Sequence, residues 1–154
     1  MEPIIINNVK TILIFLGVTL VFAVPTGYVV SFAEKNVGIK GTALIVLITV
    51  IALVGYFILG RKFLTRQISV FYNMLSTILP LIVSIIFVIF KVQAVFVFVL
   101  PLFPIMALLA NTTRLGQGAC IVVFSVLSWL SVTLGLFFKM PTTKKAQLEM
   151  TPMR

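Results

Sequence analysis

Residues 69–110 read SVFYNMLSTILPLIVSIIFVIFKVQAVFVFVLPLFPIMALLA, and in this stretch the apolar character is broken only by Lys91-Val92-Gln93. One helix over these about 40 residues would be about 60 Å long at 1.5 Å per residue, twice the ~30 Å hydrocarbon thickness of a bilayer. The stretch therefore reads as a tight helical hairpin, with Lys91 reaching the interface along its own alkyl chain.

Outward from there the same rule, about 20 apolar residues per crossing, finds further spans on both sides. The full set is 11–32, 42–59, 69–90, 94–110 and 119–138, none with a charged residue in its interior. The reading is an all-α, polytopic transmembrane bundle of five spans over residues 1–140, followed by a basic, disordered tail over 141–154. Segment 94–110 is short and carries Pro101 and Pro104, each of which removes a backbone donor and crowds the preceding turn. The alternative is four spans with 94–110 re-entrant.

Composition supports the bilayer as solvent. The chain is 61% hydrophobic and 10% charged over 154 residues, with a mean hydropathy of +1.25, whereas a soluble domain carries about a quarter charged residues. The net charge of +9 comes from basic residues scattered singly or in pairs between apolar runs. That placement fits flanks facing anionic headgroups and argues against nucleic acid as a partner. The Lys-over-Arg bias and the Ile/Val/Phe-rich spans point to a bacterial cell membrane.

Boundaries are marked by charge and turn formers. Lys10 precedes the first span; Gly38, Lys40 and Gly41 precede the second; Gly60-Arg61-Lys62 close it. The polar run Asn111 to Gly118 makes a loop before the last span, and Lys139, Pro141, Lys144 and Lys145 follow it. Pro25-Thr26-Gly27 predicts a kink in the first span. Ser31-Phe32-Ala33 has the small-x-small form of a signal-peptidase site, but the apolar run is long for a signal peptide and Glu2 suits its basic start poorly.

Five spans divide the basic residues five to seven between the two sides, which favours a cytoplasmic C-terminus. Four spans gather eight on the side of both termini and the 60–68 loop, against Lys35, Lys40, Lys91 and Arg114. Hydropathy favours the odd count, because 94–110 is as apolar as its neighbours. No internal repeat relates the two halves, which weakens an inverted-repeat transporter.

Chemistry is limited by what is missing. Histidine and aspartate are absent, the only acids are Glu2, Glu34 and Glu149, and Cys120 is the single cysteine. Neither a metal centre nor acid-base catalysis has the residues it needs, and no cofactor is expected. Ser84 and Lys91 stand about 10 Å apart along a helix, too far for a serine–lysine pair.

Three constellations remain. On the third segment Ser69, Asn73, Ser76 or Thr77, Pro80 and Ser84 share one helix face; Asn73, Thr77, Pro80 and Ser84 form either a packing surface or a pore lining. On the last, Ser125, Ser128, Ser131 and Gly135 form a small-residue seam suited to close helix contact or oligomerisation. Pro101 and Pro104 mark a helix break that would expose carbonyls, and Trp129 needs a partner for its indole N–H. The functional expectation is a non-enzymatic accessory, regulatory or immunity-type subunit that associates with a protein partner or with further copies in the membrane. An oligomeric small transporter or channel using the polar face of the third span is the alternative.

Overall fold

In lipid a peptide group has no water to bond, so an apolar run closes its hydrogen bonds within itself as a helix even when it is rich in Ile and Val. The computed structural model of this chain, which describes residues 2–35, 38–67, 69–90, 100–112 and 117–139, follows that rule. Its elements are α1 (Glu2–Lys35), α2 (Ile39–Phe63), α3 (Val70–Leu75), α4 (Leu79–Ile89), a 3-10 turn (Leu100–Leu102), α5 (Phe103–Thr112) and α6 (Gln117–Phe137). No strand occurs among the described residues.

Three helices are long and apolar enough to cross a membrane, at Ile4–Ala33, Ile39–Phe63 and Gly118–Phe137. The expectation of five spans is corrected to these three. The third segment, read as one helix over 69–90, is divided into α3 and α4. With 11 residues, α4 is about 16 Å long and covers half the hydrocarbon layer. The fourth segment supplies a 3-10 turn and the ten-residue α5, while its residues 94–99 lie outside the described ones, as do Lys91, Arg114 and the tail over 141–154. The first span begins earlier than expected, because α1 starts at Glu2, and it continues as helix through Pro25. Gly38 joins α1 to α2 with φ 129°, a left-handed conformation open to glycine at little cost.

Helix α2 is the central post. It packs antiparallel to α1, with Phe15 against Tyr56 (ring centroids 4.8 Å apart) near one end and Val29 against Ile45 and Ile48 near the other. It packs parallel to α6: Gly60 meets Val132, Gly135 meets Phe57 and Arg61, and Ala52 clusters with Cys120, Ile121 and Phe124. The chain between α2 and α6 therefore has to return from the end of α2 to the far end of the bundle. It does so in pieces, with α4 packed on α6 and α1, and Leu100–Leu102 on α1 and α2. Phe22 of α1 touches all three buried clusters and ties them along the bundle.

The α2–α6 crossing is close enough to demand glycine on both sides. A Cβ at Gly60 would fall on the carbonyl of Val132, and one at Gly135 on the carbonyl of Phe57. Overpacking of this kind costs about 1–3 kcal/mol even where flexible side chains take the strain, and here the obstacles are backbone. Gly135→Val should accordingly lower the thermal unfolding midpoint in detergent by several degrees or abolish folding. Gly17→Ala, whose Cβ meets nothing within 4 Å, should leave the midpoint equal or slightly raised; equal behaviour of the two variants would contradict the crossing.

Candidate functional site

Where α2 ends, Leu64 turns extended (φ −83°, ψ 154°) and the chain runs without helix through Gln67. Its peptide groups need partners from elsewhere. Asparagine side chains supply them, each pairing through its carboxamide, which offers one donor and one acceptor side by side as a peptide group does.

Asn7, fully buried on α1, donates to the Thr65 carbonyl (2.8 Å) and accepts from the Thr65 N–H (3.0 Å). Asn73 does the same for Gln67, at 2.9 and 2.8 Å. Asn8 acts on the break between α3 and α4: it donates to the Leu75 carbonyl (3.1 Å) and accepts from the Leu79 N–H (3.0 Å). Those two groups are the ones that would bond each other in an unbroken helix. Locally, Ser76 and Thr77 turn their hydroxyls onto the carbonyls of Asn73 and Met74, and Pro80 in the first turn of α4 has no N–H to return to Ser76.

The ends of α2 and α6 are capped reciprocally. Arg66, just beyond α2, donates to the carbonyls of Phe137 and Lys139 at the end of α6. Lys139, just beyond α6, donates to Lys62 (3.2 Å) and Leu64 (2.7 Å) at the end of α2. A cation at a helix C-terminus satisfies orphan carbonyls and complements the dipole. The first turns of α1 and the last turn of α6 thus meet the same loop, so these two ends lie at one end of the bundle. Five passages would have separated them.

Above the junction the Thr77 and Thr133 hydroxyl oxygens stand 2.9 Å apart, Thr77 accepts the indole N–H of Trp129 (3.1 Å), and Thr133 donates to the Trp129 carbonyl (2.8 Å). Tyr56 is buried on α2 with its hydroxyl facing Thr19 and Ser128, without hydrogen-bond geometry to either.

The residues singled out in the sequence distribute as follows. Asn73, Thr77, Pro80 and Ser84 are all buried, but they do not share a continuous helix: Asn73 lies on α3, Thr77 in the break, and Pro80 and Ser84 on α4, where Ser84 donates to the Pro80 carbonyl (2.8 Å). Ser69 flanks α3, its carbonyl accepting the Asn73 N–H (3.2 Å) and its side chain making no capping bond. Pro101 in the 3-10 turn and Pro104 in the first turn of α5 are both buried. Ser125, Ser128 and Gly135 are buried and Ser131 is half-buried; Gly135 faces α2 of the same chain. Asn7, Asn8, Arg66, Lys139 and Thr133 were not legible as site residues. The one available signal was the Asn7-Asn8 pair at the head of an apolar helix, where amides seek partners on other helices.

Among the described residues no group of three or more metal-ligating side chains comes together, and Ser84 lacks a described Lys91. Comparison with known families, curated proteins and solved structures finds no match.

The junction generates a stability prediction. Removing one amide leaves a peptide N–H and a C=O without partners, at about 1–3 kcal/mol for an unmet buried group. Asn7→Ala and Asn8→Ala should each lower the unfolding midpoint in detergent by several degrees. Midpoints equal to that of the unaltered protein would show that the loop and the break hold without their clamps.

Proposed function

We propose that this chain is a multi-pass protein of the cell membrane that acts without catalysis, by helix–helix association, as an accessory, regulatory or immunity-type subunit of a larger membrane system. In this reading the chain makes four passages, the crossover through α4 and α5 counting as one, and the junction end faces the cytoplasm. Lys10, Arg61, Lys62, Arg66 and Lys139 sit at that end, against Lys35 and Lys40 among the described residues at the other; the positive side of a membrane protein is the cytoplasmic one.

The observation that carries the reading is the outer face of α1. Leu20, Val24 and Tyr28 are 77%, 80% and 70% exposed, with Ala23, Gly27 and Ser31 exposed between them. These positions recur at three and four residues and form one stripe, in which small residues let a neighbouring backbone come near. A Cβ added at Gly27 meets nothing within 4 Å in this chain, so the shallow surface serves no internal contact. The polar side chains of the third segment, by contrast, already hold partners within the chain. The pore alternative loses the continuous line it required.

Reporters fused to the two termini should be found on the same side, the cytoplasmic one; opposite sides would overturn the four passages. Gly27→Leu should release one stoichiometric partner from the purified protein while leaving the unfolding midpoint unchanged. Solute flux in proteoliposomes that disappears in Asn73→Leu with Ser84→Leu would instead establish the transporter.

A further inference from the structure

Because α2 and α6 run parallel and touch at Gly60 and Gly135, they leave the apolar layer side by side. Their exits frame an open groove of about 510 Å³ lined by Ile58, Arg61, Lys62, Phe138 and Lys139. Its apolar lining is Ile58 and Phe138, both exposed, with the Phe138 ring packed edge-on against Phe57 (centroids 5.6 Å apart). Its rim is cationic, and the cations are of two kinds. Lys139 is tied to the carbonyls of Lys62 and Leu64, so one positive charge is held in place between the helix ends. Arg61 and Lys62 are exposed on the last turn of α2 and can turn toward a ligand.

No acidic residue occurs between Glu34 and Glu149, so among the described residues neither helix exit carries a carboxylate at this rim. The position along the chain is equally specific. Ile58 is the last apolar turn of the span and Arg61 follows three residues later, about 4.5 Å along the helix axis, which is the passage from acyl chains to headgroups. A ligand that fits must join a negative group to a hydrocarbon chain at that depth.

We propose that this groove binds an anionic phospholipid, its phosphate held among Arg61, Lys62 and Lys139 and one acyl chain laid along Ile58 and Phe138. A soluble anion would make no use of the apolar wall, and a zwitterionic lipid brings an ammonium group to a rim already crowded with cations. Arg61 supplies the planar fork that grips phosphate oxygens in pairs, whereas Lys62 and Lys139 act as point charges. The proposal depends on the helix exits alone and is independent of the partner docking assigned to α1.

The test is lipid retention by the full chain, purified in detergent and read by native mass spectrometry against added phosphatidylglycerol or phosphatidylcholine. Phosphatidylglycerol should be retained preferentially. Arg61→Gln with Lys62→Gln should weaken that retention about thirtyfold, the loss of two interfacial charges, and Lys35→Gln with Lys40→Gln at the opposite end should not. Arg61→Lys, which keeps the charge, should retain the preference in part and shows that the exposed position tolerates change. Equal losses from the two double variants would reduce the effect to general surface charge and overturn the site. Equal retention of both lipids would overturn it too, as would displacement by millimolar inorganic phosphate, which would identify a free-anion site.

Discussion

The amide of Asn8, set between the carbonyl of Leu75 and the N–H of Leu79, is the interaction on which the rest of the arrangement turns. A membrane helix is broken only where the freed peptide groups find new partners. Asn8 provides both, from a neighbouring helix, at the one turn where Pro80 has already removed a donor. With the turn opened, α4 is free to leave the direction of α3. A straight helix over 69–90 would have crossed the layer alone; the shorter α4 instead packs on α6 and α1, and the 3-10 turn beyond it packs on α1 and α2.

Helices α2 and α6 run parallel, and the chain between them returns through α3, α4, the 3-10 turn and α5. Here the glycines at 60 and 135 bring backbone onto backbone, so the two C-terminal ends emerge together. Two C-terminal dipole ends side by side repel, since each carries partial negative charge on its free carbonyls. Arg66 and Lys139 resolve this by crossing over, each capping the helix that the other follows. The positive character of this end is thus a structural requirement of the packing.

The membrane-helical class was legible in composition, and the exits at Gly60-Arg61-Lys62 and Phe138-Lys139 in the placement of charge. The division of the third segment was not. Hydropathy measures whether a segment prefers lipid, and both halves of 69–90 do; what breaks it is a side chain more than sixty residues away. Ser76, Thr77 and Pro80 were visible together but read as a face, because a helical face and a helix stop use the same residues at the same spacing. Gly135 stood out through its spacing from Ser131, whereas Gly60 was read as an end marker, since the need for glycine there exists only when α6 is beside it. The placement of Asn7 and Lys139 against one loop, which puts the start of α1 and the end of α6 together, was not to be had from hydropathy, because it depends on contacts between segments far apart in the chain.

A bundle organised this way restricts where it can act. The amides of Asn7, Asn8 and Asn73 and the hydroxyls of Thr77, Thr133 and Ser84 are engaged in holding loops, breaks and helix pairs, so lining a path with them would dismantle the supports that fix α4 and the α2–α6 contact. Interior polarity is here the means by which an irregular chain survives in lipid. The surfaces that the fold does not consume lie elsewhere, on α1 and at the exits of α2 and α6. On α1 the stripe from Leu20 to Tyr28 offers a mostly apolar shape, where selectivity arises from how near two backbones can approach. At the exits of α2 and α6 the cations offer charge at a fixed depth. The two surfaces lie toward opposite ends of the bundle, one toward the far end of α1 and the other at the junction, so a partner helix and a bound lipid would not compete for the same ground.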